Sequence, residues 1–291
     1  MTRSLVIETW NTDGAVERVL AQLAPQVGDT EVVVTHTGLS AAQRRSAEAR
    51  LGRAIAWVEL AKDAGYYEHK NCGFAATTGD IVAFLDGDTD PSPGWLAAIT
   101  APFAAGAHVV AGATSYPGAL SALGTQLDFP VFAGEQAGCV RNFFANNVAF
   151  AREVFAARLY PELPMFHGQC QVLALRLRDA GIAIRFAPDA RVTHAWPDDL
   201  AEWLTVRLLR GADTVSLLPH VVGAYAPAAT GIVKRLGALP ALAVLGVRAV
   251  TGAAAAVRRG PMLSGLGLVA AVTVADALGA AAAPAVYRWI A

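Results

Sequence analysis

Residues 79–95, GDIVAFLDGDTDPSPGW, are an apolar run followed at once by closely spaced carboxylates. The five uncharged residues 81–85 predict a central β-strand that is buried on both faces. Asp86 and Asp88 follow this strand, so they would lie at the carboxyl edge of the sheet, where open α/β folds bind ligands. Two carboxylates separated by one residue can share a hard divalent cation that bridges to phosphate groups. The alternative is a turn rich in Asp, Gly and Pro that caps the next helix.

The sequence around this stretch alternates short apolar runs with helix-like segments. This alternation predicts an α/β fold with a mostly parallel central sheet and helices on both faces. Residues 116–141 contain Pro117, Pro130 and several glycines, and they are predicted to form a loop that covers a substrate. The other predicted strands are 5–8, 31–35, 55–60, 108–112, 147–150, 182–187 and 191–194. The predicted helices are 13–24, 40–52, 66–77, 94–104, a helix from 152, 169–180 and 198–210.

Composition and charge narrow the possible classes of protein. The 291 residues are 54% hydrophobic and only 16% charged, and the formal net charge is -1. A near-zero charge excludes a generally basic nucleic-acid binder. The three cysteines form no CxxC pair, so neither a disulfide framework nor a zinc site is indicated. The first residues run directly into a strand-like segment, and we therefore expect no signal peptide.

The charge is unevenly distributed along the chain. Six of the 23 basic residues, but only one of the 24 acidic residues, lie after position 233. We predict a catalytic domain at 1–228 and an apolar, basic helical tail at 229–291. A basic apolar tail on an acidic body favours an anionic membrane surface, here the cytoplasmic face of the cell membrane.

The uncharged runs of the tail, 236–247 and 260–275, are shorter than the roughly 20 residues of a spanning helix. We therefore expect a helical hairpin that lies in the membrane interface, with Tyr287 and Trp289 as anchors. The alternative is a buried helical hairpin in a soluble protein.

Five further segments accompany the Asp86-Gly87-Asp88 motif in a fixed order, and residues 4–215 as a whole resemble family 2 glycosyltransferases of the GT-A fold. Lys70-Asn71-Cys72-Gly73 precedes the central strand, where that family has a basic-Asn-x-Gly helix. The remaining matches are Glu8-Thr9-Trp10-Asn11, Asn146 to Arg152, Leu177 to Gly181 and Phe186 to His194.

The resemblance implies a GT-A fold, a nucleotide-sugar donor and a divalent cation, Mg²⁺ or Mn²⁺. It implies that Asp88 is the principal metal ligand, that Asp86 contacts the metal shell or the ribose, and that His194 is the third contact. Arg207 and Arg210 would clamp phosphate oxygens, unless they lie on a solvated helix face. The predicted donor-binding residues are Glu8, Thr9, Trp10, Lys70, Asn71, Asp86, Asp88, Asn147, Arg207 and Arg210.

Two positions depart from the pattern of the family. After the second strand the family has a carboxylate that holds the nucleotide base, whereas this chain has His36 and Thr37. Glu8, at the end of the adjacent first strand, could replace that carboxylate. The late helix of the family begins with Glu-Asp, and the Asp deprotonates the acceptor, whereas this chain has Gln169 and Cys170.

His167 is the best local substitute for the missing base, because an imidazole has an unperturbed pKa of about 6.5. Gln169 cannot accept a proton at neutral pH, and Cys170 is interpreted as a small packing residue. Competing candidates for the base are Asp198, Asp199 and Glu135. The catalytic residues proposed from the sequence are thus His167 and Asp88.

The sequence as a whole predicts a metal-dependent hexosyltransferase that uses a nucleotide sugar and, with a base in place, inverts the anomeric centre. Its acceptor would be a glycan, a lipid-linked molecule or a small molecule. Without a base, a retaining mechanism or no catalysis remain open. One alternative is a catalytically silent GT-A-like subunit of a membrane complex that binds a nucleotide sugar or a glycan. A nucleotidyltransferase is a second alternative, but it would need a Gly-rich loop after the first strand.

Overall fold

The computed structural model describes residues 1–10, 14–259 and 262–290, and it confirms the predicted alternation of strands and helices. The predicted start of the first helix and Asn11 lie outside these residues. The strands are β1 Arg3–Thr9, β2 Glu31–His36, β3 Ala56–Glu59, β4 Ile81–Asp86, β5 Thr89–Pro91, β6 Val109–Ser115, β7 Cys139–Val140, β8 Asn147–Ala151 and β9 Ile184–His194. The helices are α1 Ala15–Leu23, α2 Ala41–Leu51, α3 Tyr66–Ala75, α4 Trp95–Thr100, α5 Ser121–Asp128, α6 Arg152–Ala156, α7 Gln169–Asp179, α8 Leu200–Tyr225, α9 Thr230–Leu236, α10 Ala238–Arg259, α11 Met262–Ala281 and α12 Ala283–Ile290.

The strands form one sheet in the order β3-β2-β1-β4-β8-β6-β9-β5, and β7 pairs with β9. From β3 to β4 all pairs are parallel, and β8 is antiparallel to both of its neighbours, β4 and β6. Strand β9 is parallel to β6, so the larger group of strands runs in one direction, as predicted. Strand β4 lies in the interior of the sheet and is buried along its whole length, which explains its uncharged sequence.

Three segments differ from the expected structure. The strands predicted at 182–187 and 191–194 are one strand, β9, because a register irregularity opposite Gly112 and Ala113 absorbs the residues around Pro188. The expected loop 116–141 contains a helix, α5. Helix α8 continues to Tyr225, well beyond the predicted end at residue 210.

By its internal contacts the described chain divides into two compact units. The first contains residues 1–115, 131–162 and 176–195, and the second contains 116–130, 163–175 and 196–291. This division does not follow the expected boundary at 228/229. The reason is that α8 packs against α11 and α12, so the body of the chain supplies part of the tail's own core.

Helices α10 and α11 pack against each other and form the expected apolar hairpin. The segments Ala238–Arg258 and Met262–Ala281 are long and apolar enough to cross a membrane, by length and composition alone. Only 22% and 33% of their apolar windows are buried in the protein, so most residues of each window are at least partly accessible to solvent. The one acid of the tail, Asp276, is fully buried and pairs with Arg248 at 2.8 Å.

Two glycines allow α8 and α11 to approach closely. A Cβ on Gly211 would overlap the carbonyl oxygen of Asp276, and a Cβ on Gly279 would overlap that of Leu208. Both neighbours are helix backbone, which cannot move aside as a side chain can. Gly267, on the same helix α11, has open space where its Cβ would stand.

We predict that Gly279→Ala lowers the stability of the chain, because the gain in helix propensity is outweighed by about 1–3 kcal/mol of overpacking. Gly267→Ala is the matched control, and it should leave the melting temperature unchanged or raise it, since alanine is favoured in helices by up to about 1 kcal/mol. Calorimetry of the two variants measures the difference. Equal melting temperatures would show that α8 and α11 are not in backbone contact.

Candidate active site

The loop after β4 and the end of β9 bring Asp86, Asp88 and His194 together. Their ligand atoms all lie within 4.8 Å of one another. Strand β5 pairs with β9 so that Thr89 stands opposite His194, which places Nε2 of the imidazole 3.5 Å from the Asp88 carboxylate. The Nδ1 atom lies 2.8 Å from the carbonyl oxygen of Ala195. A carbonyl can only accept, so it holds the proton on Nδ1 and leaves the Nε2 lone pair directed at the carboxylates.

Gly87 explains the spacing of the two carboxylates. Its N–H donates to the carbonyl oxygen of Glu8 at 2.8 Å. A Cβ at this position would lie 2.9 Å from that oxygen and 3.0 Å from Cβ of Thr9, closer than side chains normally approach. The turn therefore packs directly against β1, and only glycine fits between the two Asp residues.

Asp86 is held by two side chains of α3. The fully buried Lys70 donates from Nζ to the Asp86 carboxylate at 2.5 Å, and the Tyr66 hydroxyl lies 2.9 Å from both carboxylate oxygens. Burial raises the pKa of Tyr66 well above its usual value, and the charge of Asp86 raises it further. Tyr66 was not among the residues predicted from the sequence, although its position four residues before Lys70 places both on one helix face.

Glu8 adds a third carboxyl group to this cluster. It stands opposite Asp86 in the β1–β4 register and is only 4% exposed. Burial raises the pKa of Glu8 well above its usual value, and Asp86 adds to the rise, whereas Lys70 opposes it. Burial, with the charge of Lys70, lowers the pKa of His69 to about 4, so this neighbour is uncharged at neutral pH. The cluster thus has more carboxyl groups than positive charges.

A divalent cation fits this excess of carboxyl groups. Burial raises the pKa of Asp88, an effect that His194 opposes and Asp86 reinforces, and a bound cation would favour the charged form instead. The Oδ1 atom of Asp88 is buried and has no hydrogen-bond partner among the described residues. Two carboxylates and one imidazole form an oxygen-rich donor set that suits Mg²⁺ or Mn²⁺.

The end of β1 presents groups that a nucleotide could use. The Trp10 ring is 37% exposed, and its centre lies 4.8 Å from that of the His69 ring. Glu8 Oε2 and Thr9 Oγ1 are buried and have no hydrogen-bond partner within the described part of the chain. Buried polar atoms of this kind are usually paired, and a bound ligand can supply the partner.

His36 occupies the place of the family's base-binding carboxylate, and it is fully buried. Its Nδ1 accepts hydrogen bonds from the backbone N–H groups of Gly38 and Leu39 at 3.2 and 3.1 Å. Burial lowers the pKa of this imidazole. The loop after β2 is therefore closed by a neutral histidine rather than by an anion.

Asn71 and Asn147 do not have the contacts expected of donor-binding residues. Asn71 exchanges two hydrogen bonds with the backbone of Tyr160, at 3.0 and 3.2 Å. The Asn147 amide donates to the carbonyl oxygens of Ala113 and Ala190 and accepts from the indole of Trp95. Both side chains hold the protein's own segments together, and these contacts explain them without a bound nucleotide.

Arg207 and Arg210, in the second unit, belong to a buried ion cluster. Both guanidinium groups lie 2.9 Å from the Asp128 carboxylate, which Arg248 also approaches. Burial acts to raise the pKa of Asp128, but the three arginines, Arg210 first, hold it far below its usual value. The alternative of a solvated helix face is wrong for Arg207, which is 2% exposed. The phosphate-clamp role is not needed to explain either residue.

The segment that carries the candidate base also lies in the second unit. His167 Nδ1 is 3.5 Å from the carboxylate of Asp213 on α8, a residue that was not predicted from the sequence. Cys170 is buried, as expected for a packing residue. Asp199, one of the competing candidates, caps α8 by accepting from the N–H of Glu202 at 2.8 Å.

The profile of the family described as Glycosyl transferase family 2 matches residues 4–170, more than half of the chain. The chain belongs to glycosyltransferase family 2. No curated protein matches this glycosyltransferase significantly in sequence.

Solved structures with the same fold include two enzymes of known activity. The mannosyltransferase PcManGT from Pyrobaculum calidifontis, in complex with GDP-Man and Mn²⁺, matches with a TM-score of 0.66 at 20% identity over 99% of this chain and 87% of its own. Glucosyl-3-phosphoglycerate synthase from Mycobacterium tuberculosis, in complex with Mn²⁺, UDP and phosphoglyceric acid, matches with a TM-score of 0.52 at 20% identity over 77% and 78%. At such identities the likeness establishes the GT-A fold.

Proposed function

We propose that this glycosyltransferase moves a hexosyl group from a nucleotide diphosphate sugar to a hydroxyl acceptor in a metal-dependent reaction that inverts the anomeric centre. The observation that carries the proposal is the convergence of Asp86, Asp88 and His194 within 4.8 Å at the end of a buried strand. Two structures of similar fold hold nucleotides together with Mn²⁺, which supports the same assignment.

The residues of the site have distinct roles in this proposal. Asp86, Asp88 and His194 would hold the cation, and Lys70 and Tyr66 fix the carboxylate of Asp86 in place. When bound, a divalent cation would neutralise the negative charge that develops on the diphosphate leaving group. Glu8, Thr9 and Trp10 bind the nucleoside, for which the buried Glu8 Oε2 and the half-exposed Trp10 ring are suited.

His167 is the proposed general base. Its Nε2 takes the proton of the acceptor hydroxyl while that oxygen forms a bond to the anomeric carbon. The bond from this carbon to the diphosphate oxygen breaks, and the diphosphate leaves with the electron pair. A single in-line displacement of this kind inverts the configuration. Gln169, in the position of one of the family's acids, has no basic group that could do the same.

We also propose that the tail binds the cytoplasmic face of a membrane and brings the enzyme to a lipid-linked or envelope glycan acceptor. The hairpin is only partly buried, which favours the interface over the alternative of a buried hairpin. The exposed apolar side chains of α10 and α11 include Leu239, Val247, Val250, Leu263, Val274 and Leu278. The exposed basic residues Lys234, Arg235, Arg258 and Arg288 would face anionic headgroups.

Tyr287, expected to be a membrane anchor, is not included in this proposal because of its contacts. Its hydroxyl donates to Asp213 at 2.8 Å and lies 3.1 Å from the hydroxyl of Ser216, so its polar end faces the protein. Trp289 is 71% exposed and remains a candidate anchor.

Thermal denaturation with GDP, UDP, ADP, CDP and dTDP, each with and without Mn²⁺, tests the donor site. We predict that one nucleotide stabilises the chain only when Mn²⁺ is present, by about 2.7 kcal/mol at one hundred times its dissociation constant. Asp88→Asn should abolish this stabilisation, because it removes the principal ligand. Asp90→Asn is the matched control: this carboxylate lies two residues away and pairs with Arg18 on the surface.

Stabilisation by no nucleotide, or equal stabilisation of the Asp88→Asn variant, contradicts the proposed donor site. Metal-dependent hydrolysis of the matching nucleotide sugar then separates the enzyme from the silent subunit. Binding without any turnover, in water or with acceptors, would favour the silent subunit.

Co-sedimentation with phosphatidylcholine vesicles, with and without phosphatidylserine, tests the tail. We predict that Val247→Glu with Val250→Glu lowers partitioning to phosphatidylserine vesicles at least about tenfold, since both side chains are exposed and would lose favourable apolar transfer. Leu159→Glu, at an exposed apolar residue of the other unit, is the control and should bind as the wild type does. Unchanged binding of the double variant would refute the membrane-facing surface. Deletion of the tail is less informative, because α8 packs against α12.

A further inference from the structure

Asp213, on α8, is a buried carboxylate that joins two other segments of its own unit. Its Oδ1 accepts from the backbone N–H of Phe166 at 2.8 Å, and its Oδ2 accepts from the backbone N–H of His167 at 2.6 Å. On the other side the hydroxyl of Tyr287, on α12, donates to Oδ1 at 2.8 Å. Asp213 therefore links the loop before α7 to the last helix of the chain.

The imidazole of His167 lies against the same carboxylate. Its Nδ1 is 3.5 Å from Asp213 Oδ2, and its ring meets the Phe166 ring edge to face at 4.5 Å between centres. The His167 side chain is 33% exposed, whereas that of Asp213 is 6% exposed. The imidazole thus reaches the surface while its carboxylate partner stays behind it. A carboxylate placed in this way favours the tautomer with the proton on Nδ1, which gives Nε2 the lone pair.

The charges around His167 suit a group that is neutral at physiological pH. Burial lowers the pKa of the imidazole, Asp213 opposes that effect, and Arg210 and Arg207 on the same helix reinforce it. Tyr287 contacts Asp213, and Asp213 in turn faces the His167 imidazole. Burial and the charge of Asp213 raise the pKa of Tyr287 well above its usual value, so its hydroxyl stays protonated and remains a donor.

We propose that Asp213 and Tyr287 are positioning residues for His167. Asp213 orients the imidazole and keeps its proton on Nδ1, so that Nε2 takes the proton of the acceptor hydroxyl. Tyr287 shares the charge of Asp213 and so limits how strongly that charge stabilises the imidazolium. This inference rests on the proposed function, because it takes His167 as the general base. It makes α12 part of the catalytic arrangement as well as part of the tail.

Two substitutions test this arrangement through opposite shifts in the titration of His167. Asp213→Asn removes the negative charge that favours the imidazolium, so the pKa of His167 should fall by about one unit. Tyr287→Phe leaves more of the Asp213 charge facing the ring, so the pKa should rise by a few tenths of a unit. The titration is followed by NMR of the holoenzyme with labelled histidine, and the His167→Ala spectrum assigns the signal.

The same variants are compared in a kinetic assay, the Mn²⁺-dependent hydrolysis of hexose conjugates of the stabilising nucleotide, for example GDP-mannose for GDP or UDP-glucose for UDP. Activity should rise with pH as the base loses its proton. The acidic limb of kcat/KM should move to lower pH in Asp213→Asn and to higher pH in Tyr287→Phe. Asp213→Asn should also lose at least about tenfold in rate at its optimum, because the imidazole is no longer oriented. A residue that only held the loop would change stability without moving these limbs in opposite directions.

Tyr225→Phe and Asp189→Asn are the matched controls, since both residues are exposed and neither contacts Asp213 in the described structure. Tyr287→Phe is the smaller change and keeps the test valid if Asp213→Asn fails to fold. If the Asp213→Asn and Tyr287→Phe enzymes are active but have the same acidic limbs and the same His167 titration as the wild type, the inference is overturned and the proposed function is not affected. A wild type that binds a nucleotide with Mn²⁺ but hydrolyses none of the hexose conjugates of that nucleotide overturns the proposed function and the inference with it.

Discussion

The ion pair between Lys70 and Asp86 is the interaction on which the rest of the candidate site depends. An unpaired ammonium at the fully buried position of Lys70 would cost several kcal/mol, so α3 and the end of β4 must stay in register. The pair also divides the carboxyl groups into two kinds. Asp86 is fixed by the protein through Lys70 and Tyr66, whereas Asp88 keeps an unpartnered buried oxygen among the described residues. We propose that a cation binds the remaining negative charge of the cluster, with His194 as its third contact.

The parts of the fold that could be predicted from the sequence are those encoded locally. An uncharged run followed by Asp86-Gly87-Asp88 specifies a buried strand and a turn that only glycine can make against β1. Because parallel strands end at the same edge of a sheet, a parallel arrangement of β1 and β4 is enough to bring their last residues to that edge. The position of His194 is different, since it depends on β5 pairing with β9, and only the ordered motifs of the family indicated it.

The residues whose contacts differ from those expected have partners far away in the sequence. Arg207 binds Asp128 across 79 positions, and Tyr287 binds Asp213 across 74, and no local pattern indicates either pair. Asn147 matches a family motif, yet its amide is used by the sheet itself. Distant partners also reduce the positive charge that the tail can offer to a membrane. Arg248 is held by Asp128 and Asp276, so attraction to a membrane would come from the exposed basic residues near the ends of the helices.

We propose that Asp86, Asp88 and His194 bind one divalent cation together with a nucleotide diphosphate. Anomalous diffraction at the manganese edge, from crystals grown with Mn²⁺ and the stabilising nucleotide, would locate this cation. We expect a single strong peak within coordination distance of the Asp88 carboxylate and His194 Nε2, next to the diphosphate. A nucleotide bound without manganese at these residues, or a peak at another cluster, would refute this assignment.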